Sequence, residues 1–309
     1  MLAHIKWGLA SLLTASLLIA CQPASEPASE PANEPEPAED PGADAPSMSA
    51  PGDATSPVSQ TPAPNQALID AINHPDRPEE QRARDRFRNP GPTLTFFDVQ
   101  PDMHVIELSP GGGWYSEILG RYLKDDGQLI AAHWDMSADV NDMYRRIRGN
   151  YDERFGDAEA FGEITVVPFN PPQRVDLGPP ASADRVLSFR NMHSWARANA
   201  LPAVFDAAFE VLKPGGVMGI VAHRLPADRP RDPEARSGYI HEDYVVELAE
   251  ASGFELAERS EINANPLDTA DHPNGVWNLP PSLRVEQGDD KDYAAIGESD
   301  RFTLKFQKP

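Results

Sequence analysis

Val105-Ile106-Glu107-Leu108-Ser109-Pro110-Gly111-Gly112-Gly113-Trp114-Tyr115-Ser116 is the most informative stretch of this chain. A short apolar run, Met103 to Leu108, carries β-branched residues and a single carboxylate. Three glycines follow, and glycine alone lets a backbone approach a ligand with no Cβ in the way. Ser116 then stands where a hydroxyl can cap a helix, whose first N–H groups have no intrahelical partner. The stretch therefore reads as strand, glycine turn, helix, with Glu107 placed to accept hydrogen bonds from a cationic or hydroxylated ligand. A dinucleotide fingerprint needs a third glycine where Ser116 stands, and a phosphate-binding P-loop needs Gly-Lys-Ser/Thr. Neither is present.

On either side of this stretch the same rhythm repeats. Gln128–His133, Glu163–Phe169, Asp184–Phe189 and Gly216–Ala222 are further short apolar runs. Tyr115–Tyr122, Met136–Arg148 and Leu201–Leu212 between them have helical spacing, the last with Val204, Phe205, Ala208, Phe209 and Leu212 on one face. Apolar strands alternating with amphipathic helices predict an α/β fold with a parallel sheet. Loops then gather along one edge, at the C-terminal ends of the strands. Glu242–Ser252 predicts a helix ended by Gly253, Phe254–Ile262 a sixth strand and Arg301–Gln307 a seventh. Asn263–Asp300 is a long polar, Pro/Gly-rich excursion. Gln66–Asn73, Glu79–Arg88 and Thr93–Val99 read as helices covering one end of the sheet.

This glycine turn resembles the first motif of the class I S-adenosylmethionine-dependent methyltransferases, with Ser109 standing for the first glycine. Leu212-Lys213-Pro214-Gly215-Gly216, Ala251-Ser252-Gly253-Phe254 and Arg301-Phe302-Thr303-Leu304-Lys305-Phe306 extend the resemblance from about Asp76 to the end. More narrowly, the chain resembles a group of bacterial sequences classed as predicted methyltransferases. That likeness rests on Arg82 to Pro90, the Pro-Gly-Gly-Gly-Trp-Tyr turn, Phe189 to Trp195, and Asn265 to Asp268. It implies a Rossmann-like seven-stranded, mostly parallel sheet with a C-terminal antiparallel hairpin and helices on both faces. S-adenosyl-L-methionine would be the cofactor. Glu107 would meet its amino group, with Ser109, Gly111 and Gly113 beneath it and Asn170 at the adenine. The acid that holds the ribose falls in register on His133, with Asp135 two residues later.

Arg190-Asn191-Met192-His193-Ser194-Trp195 ends the fourth strand and should face the ligand edge. His193 has the ordinary pKa of a general base, though a histidine there can equally serve a backbone carbonyl. Asn191 would orient a substrate. Trp195 would wall the pocket or fill core. Tyr115, Arg88 and His223 are the other substrate candidates. Arg82, Asp85, Arg86 and Arg88 read either as a salt-bridged surface or as an arginine-lined lid over an anionic group. Asn170-Pro171-Pro172-Gln173 mimics an amino-methyltransferase signature but follows the third strand and lacks its aromatic residue. His272 with Asp268 and Asp271 is too loose for a metal, and none is expected.

Composition bounds the rest. The 309 residues carry 27 Lys+Arg against 49 Asp+Glu, a net charge of −22, which argues against a nucleic-acid partner. One cysteine leaves no disulfide framework. That cysteine, Cys21, follows Leu18-Ile19-Ala20 and the apolar run Trp7–Ala20, and the arrangement resembles a bacterial lipobox. Residues 1–21 then read as a lipoprotein signal and 22–64, rich in Pro, Ala, Ser and Glu with eight acids and no base, as a disordered tether. Residues 65–309 form one domain, with 65–101 as its helical cover and 263–300 as an insertion. The expected place is the cell envelope, lipid-anchored on the periplasmic side, at the outer membrane by the Gln22 that follows the cysteine. The expected acceptor is a small molecule. An envelope address sits uneasily with a cytoplasmic cofactor, so two other readings stay open: a non-catalytic, methyltransferase-like ligand-binding lipoprotein, and a cytosolic enzyme whose N-terminal run is no signal.

Overall fold

The strand order β3-β2-β1-β4-β5-β7-β6 organises the molecule. A computed structural model describes residues 62–137 and 140–309. The signal segment 1–21, Cys21 and nearly all of the 22–64 tether lie outside the described residues. Four helices come first: α1 (Gln66–Ile72), α2 (Glu79–Arg82), α3 (Asp85–Arg88) and α4 (Pro90–Phe96). There follow β1 (His104–Leu108), α5 (Ser116–Leu123), β2 (Gln128–His133), α6 (Asp142–Phe155), α7 (Ala158–Phe161), β3 (Thr165–Pro168) and β4 (Ala183–Phe189). The remainder is α8 (Met192–Arg197), α9 (Leu201–Val211), β5 (Leu212–His223), α10 (Glu242–Ala251), β6 (Glu255–Ser260), α11 (Tyr293–Ile296) and β7 (Arg301–Gln307). β1 to β5 pair in parallel, and β7 runs antiparallel between β5 and β6. This is a Rossmann-like, mostly parallel seven-stranded sheet with an antiparallel C-terminal pair.

The central strands are apolar because both faces are covered. On β1, Ile106 and Leu108 join one cluster, with Val204, Phe205 and Ala208 of α9 and Val245 and Ala249 of α10. Val105 faces the opposite cluster, with Ile118 and Leu119 of α5 and Leu68 of α1. Burying such side chains contributes roughly 1.5–3 kcal/mol each before chain entropy is counted. Leu94 and Phe97 sit in that second cluster. The N-terminal helices thus pack on a sheet face, where an end cover was expected. Gly219 of β5 makes this possible: a Cβ there would stand 2.6 Å from the Phe97 ring.

Three local expectations shift. The helix expected over 136–148 begins at Asp142 and runs to Phe155, because the Asn141 side chain caps it and Asp135 holds the chain in a turn by accepting from the Ser137 N–H. The helix expected over 79–88 breaks in two, with Ala83 and Arg84 N–H groups bonded back to Glu79 and Gln81. The excursion 263–300 is stitched to the body by buried polar side chains. The Asn263 amide donates to Thr93 and Thr303 hydroxyls, the Asn265 amide to the Ile296 and Glu298 carbonyls. Asp268 accepts from Tyr239 and from the Asp300 N–H. The Asn-Pro-x-Asp stretch therefore clamps the segment that carries Glu298.

β1 connects to β2 on one side and is flanked by β4 on the other, so the strand order reverses between β1 and β4. Ligands of open α/β sheets bind at the C-terminal ends of strands at such a reversal.

Candidate functional site

Two cavities open where β1 and β4 end. The first, about 350 Å³, is lined by the turn Ser109–Gly112, by Phe189, Arg190 and Asn191 at the end of β4, and by Gln81, Arg84, Arg88, Trp114 and His223. The second is a slot of about 290 Å³ lined by Trp134, Tyr144, Phe169, Asn170, Pro171, Ser194 and Trp195. Ser109 borders both. Larger depressions lie elsewhere: beside α1 and α5, beside α9, and between Asp232–Ser237 and Pro273–Trp277.

The backbone is strained at this edge. Ser109 has φ +49° and Arg190 φ +66°, both in the left-handed region that costs a non-glycine residue energy. Asn191 ties the two strand ends together, its amide donating to the carbonyls of Leu108 (2.9 Å) and Ser109 (3.3 Å). The glycines divide the work. A Cβ on Gly111 or Gly112 would meet nothing within 4 Å, whereas one on Gly113, at φ +78°, would overlap the Phe155 ring. Gly111 and Gly112 thus leave room for a ligand, and Gly113 serves packing.

Glu107 is buried, and its Oε2 accepts from the Ser116 hydroxyl at 2.6 Å. Ser116 was expected to cap α5; its hydroxyl instead turns to the carboxylate and accepts from the Tyr151 hydroxyl at 3.1 Å. Burial pushes the Glu107 pKa up to about 7, against the Ser116 hydrogen bond and the charge of Arg190, which lower it. Among the described residues nothing donates to its Oε1; like Tyr115, Glu107 lines neither cavity and lies behind the turn.

His133 stands at the end of β2, fully buried. Its Nδ1 accepts from the Trp134 N–H at 2.9 Å, so Nε2 carries the proton and donates to the Gly111 carbonyl at 3.0 Å. Burial holds its pKa down to about 4, so this neutral tautomer persists at pH 7. His133 braces the glycine turn. Asp135 lines neither cavity; it accepts from Ser137 and from Arg174 Nη1 at 3.0 Å. Those bonds hold its pKa below the usual range.

Of the expected substrate residues, Arg88 and His223 line the first cavity and Trp195 the second, where it packs edge-on to Phe169. Tyr115 lines neither. Its hydroxyl donates to the Arg88 carbonyl at 3.1 Å and its ring stacks on Phe189, so it backs the cavity wall. His193 also lies outside both linings, half-buried, its ring 5.5 Å from His223 and 5.9 Å from Trp277. Burial and then Arg197 and Arg190 hold its pKa down to about 4. His223, whose Nδ1 is 2.5 Å from the Ser299 hydroxyl, is pushed well below the ordinary histidine value by burial.

Behind the first cavity, off its lining, lies the buried carboxylate of Glu298. Arg84 Nε reaches it at 2.7 Å, Arg88 Nε at 3.1 Å, Arg301 Nη1 at 3.3 Å and Arg190 Nη1 at 3.8 Å. Burial would raise its pKa, but the four guanidiniums outweigh that and hold it down near 2. Asp85 takes no part, being paired bidentately with Arg77 at 2.9 Å, and Arg86 lies over the Phe87 ring. Sequence reasoning passed over Glu298, Arg301 and Arg84. Glu298 sits in Gly-Glu-Ser-Asp with no motif around it, more than 200 residues from Arg88. The pairing of an isolated acid with a basic strand start at Arg301 was the one available signal.

No protein-family model matches the chain, and no curated protein matches it in sequence. Solved structures of similar fold do exist. A SAM-dependent methyltransferase from Aquifex aeolicus superposes with a TM-score of 0.49 at 14% identity, over 74% of this chain and 93% of that one. The cyclase SpnF gives 0.47 at 15% identity, over 78% and 92%. CrArsM, an arsenic(III) S-adenosylmethionine methyltransferase from Chlamydomonas reinhardtii, gives 0.45 at 16%, over 79% and 74%.

The edge holds three distinct environments: a carboxylate beside an open glycine turn, a slot lined by aromatic rings, and a cluster of cations. Among the described residues no three His, Cys, Asp or Glu side chains stand close enough to hold a metal ion. His272 and Asp268, too loose a pair in sequence, do meet at 2.8 Å, in a buried network with Tyr239.

Proposed function

We propose that this chain is a class I S-adenosylmethionine-dependent methyltransferase acting on a small-molecule acceptor. The observation that carries the reading is Glu107: a buried carboxylate with a free oxygen, ending β1 beside the open Gly111-Gly112 turn at the strand-order reversal. When bound, the cofactor supplies an electrophilic methyl group on a sulfonium. Glu107 would hold its ammonium group, and the Trp134, Phe169 and Asn170 slot would take its adenine. The first cavity then receives the acceptor, with Trp114 and Phe189 excluding water and the arginines orienting it. His223 lines that cavity and His193 stands behind it, both neutral at pH 7 and able to accept a proton.

Calorimetry of the full chain with S-adenosylhomocysteine tests this. Binding in the micromolar range, about −8 kcal/mol, is expected; no binding by folded protein would refute it. His193→Ala should then lower kcat several-fold or more while leaving cofactor affinity unchanged. Unaltered turnover would leave His193 a packing partner of Trp277.

One observation favours the second reading, a ligand-binding module without methyl transfer. His133 is committed to Gly111 and Asp135 to Ser137 and Arg174, so neither stands free for a ribose.

The reading includes an envelope address. Cys21 would be acylated and residues 22–64 would tether the domain to a membrane. Cys21→Ala should move the protein from the membrane to the soluble fraction of its bacterial host; unchanged membrane association would remove the anchor.

A further inference from the structure

The arginines around Glu298 outnumber their counter-charges. Among the described residues, Arg84, Arg88, Arg190 and Arg301 face a single carboxylate within 4 Å. Arg88 is 2% exposed, lines the first cavity, and has its Nη1 buried with no partner among the described residues. Arg84, also on the lining, leaves Nη2 in the same state. Other buried guanidine nitrogens without partners, on Arg77, Arg121 and Arg224, are Nε atoms on the side-chain stem, and none of these residues lines the cavity. Arg185 shows what a purely structural arginine looks like here: all three of its nitrogens donate to backbone carbonyls. Leaving terminal guanidinium N–H groups buried and unbonded is costly, more so beside like charges. Arg190, also on the lining, has the strained φ of +66°.

We propose that this cluster is an anion subsite for the acceptor: the ligand beside the cofactor carries a carboxylate, phosphate or similar oxyanion, held by Arg84, Arg88 and Arg190. This rests on the methyl-transfer reading above and names its substrate class. The charge count favours an acceptor over the cofactor as the source of the anion. The methionine carboxylate would offset one positive charge, and four guanidiniums against Glu298 and that carboxylate still leave two. Guanidinium forks match planar or tetrahedral oxyanions in a bidentate manner.

The probe is inorganic phosphate, titrated at constant ionic strength into the full chain with and without saturating S-adenosylhomocysteine. Phosphate should bind equally well in both, and about tenfold or more weakly in Arg84→Gln and in Arg190→Gln. Arg236→Gln, which removes the same charge from an exposed site, should not alter it. Competition between phosphate and S-adenosylhomocysteine would show that the cluster serves the cofactor's own carboxylate and would overturn the proposal. So would S-adenosylhomocysteine binding with no phosphate binding. Phosphate binding lost in the arginine variants, with no S-adenosylhomocysteine binding, would keep the anion subsite and sink the methyl-transfer reading instead. The competition arm uses the unmodified protein, so it holds even if a variant fails to fold.

Discussion

Glu107→Gln is expected to weaken S-adenosylhomocysteine binding by tenfold to about a hundredfold and, in the same molecule, to raise thermal stability above pH 7. The first effect follows from the hydrogen bond between an ammonium and a carboxylate, whose net worth is about 1.5–3 kcal/mol. The second follows from burial. The folded protein holds Glu107 protonated up to about pH 7, while the unfolded chain releases that proton near 4.5. The folded state thus binds more protons between those values, and the native protein loses stability as pH rises through that window, then stays level. The loss amounts to about 3 kcal/mol. Glutamine cannot ionise and still accepts from Ser116, so the variant escapes the loss. Melting curves from pH 4 to 9 should converge at low pH and separate as pH rises. A variant that is less stable at pH 8 would mean that Glu107 is not an isolated buried charge. Affinity of the native protein should also fall as pH drops below about 7, while that of the variant stays flat.

Glu298→Gln should act in the opposite sense. Four guanidiniums lose the carboxylate they share, and removing one partner from a buried ionic cluster costs about 3–5 kcal/mol. The pKa of Glu298, held near 2, adds a pH signature. Its contribution is fully present above about 4.5 and is lost as pH falls toward 2. The difference between native protein and variant should therefore be large at pH 7 and narrow in acid. Equal melting temperatures at neutral pH would show that the arginines are satisfied without Glu298. If phosphate occupies the cluster, it should restore part of the lost stability, since a ligand of the folded state stabilises it by mass action.

The two glutamates mark how far the chain could be read unaided. Glu107 was legible because it belongs to one continuous stretch, in which strand, glycine turn and helix announce themselves by local chemistry. The parallel central strands were legible for the same reason: covered on both faces, they are apolar throughout, and element boundaries came within a few residues except at α6 and at the broken helix α2–α3. Backbone preference and hydrophobic period act over a few residues, so they survive in the sequence as patterns. Glu298 leaves no such pattern. Its meaning depends on Arg84, Arg88, Arg190 and Arg301 being brought within 4 Å, and on Asn265 and Asp268 clamping its segment against the sheet. The roles of His133 and Ser116 are of the same kind. Sequence suggested a ribose contact for one and a cap for the other, and three-dimensional packing turned them toward Gly111 and Glu107. Electrostatics and buried hydrogen bonds are set by distance in space, and neighbours in space can lie two hundred residues apart in the chain.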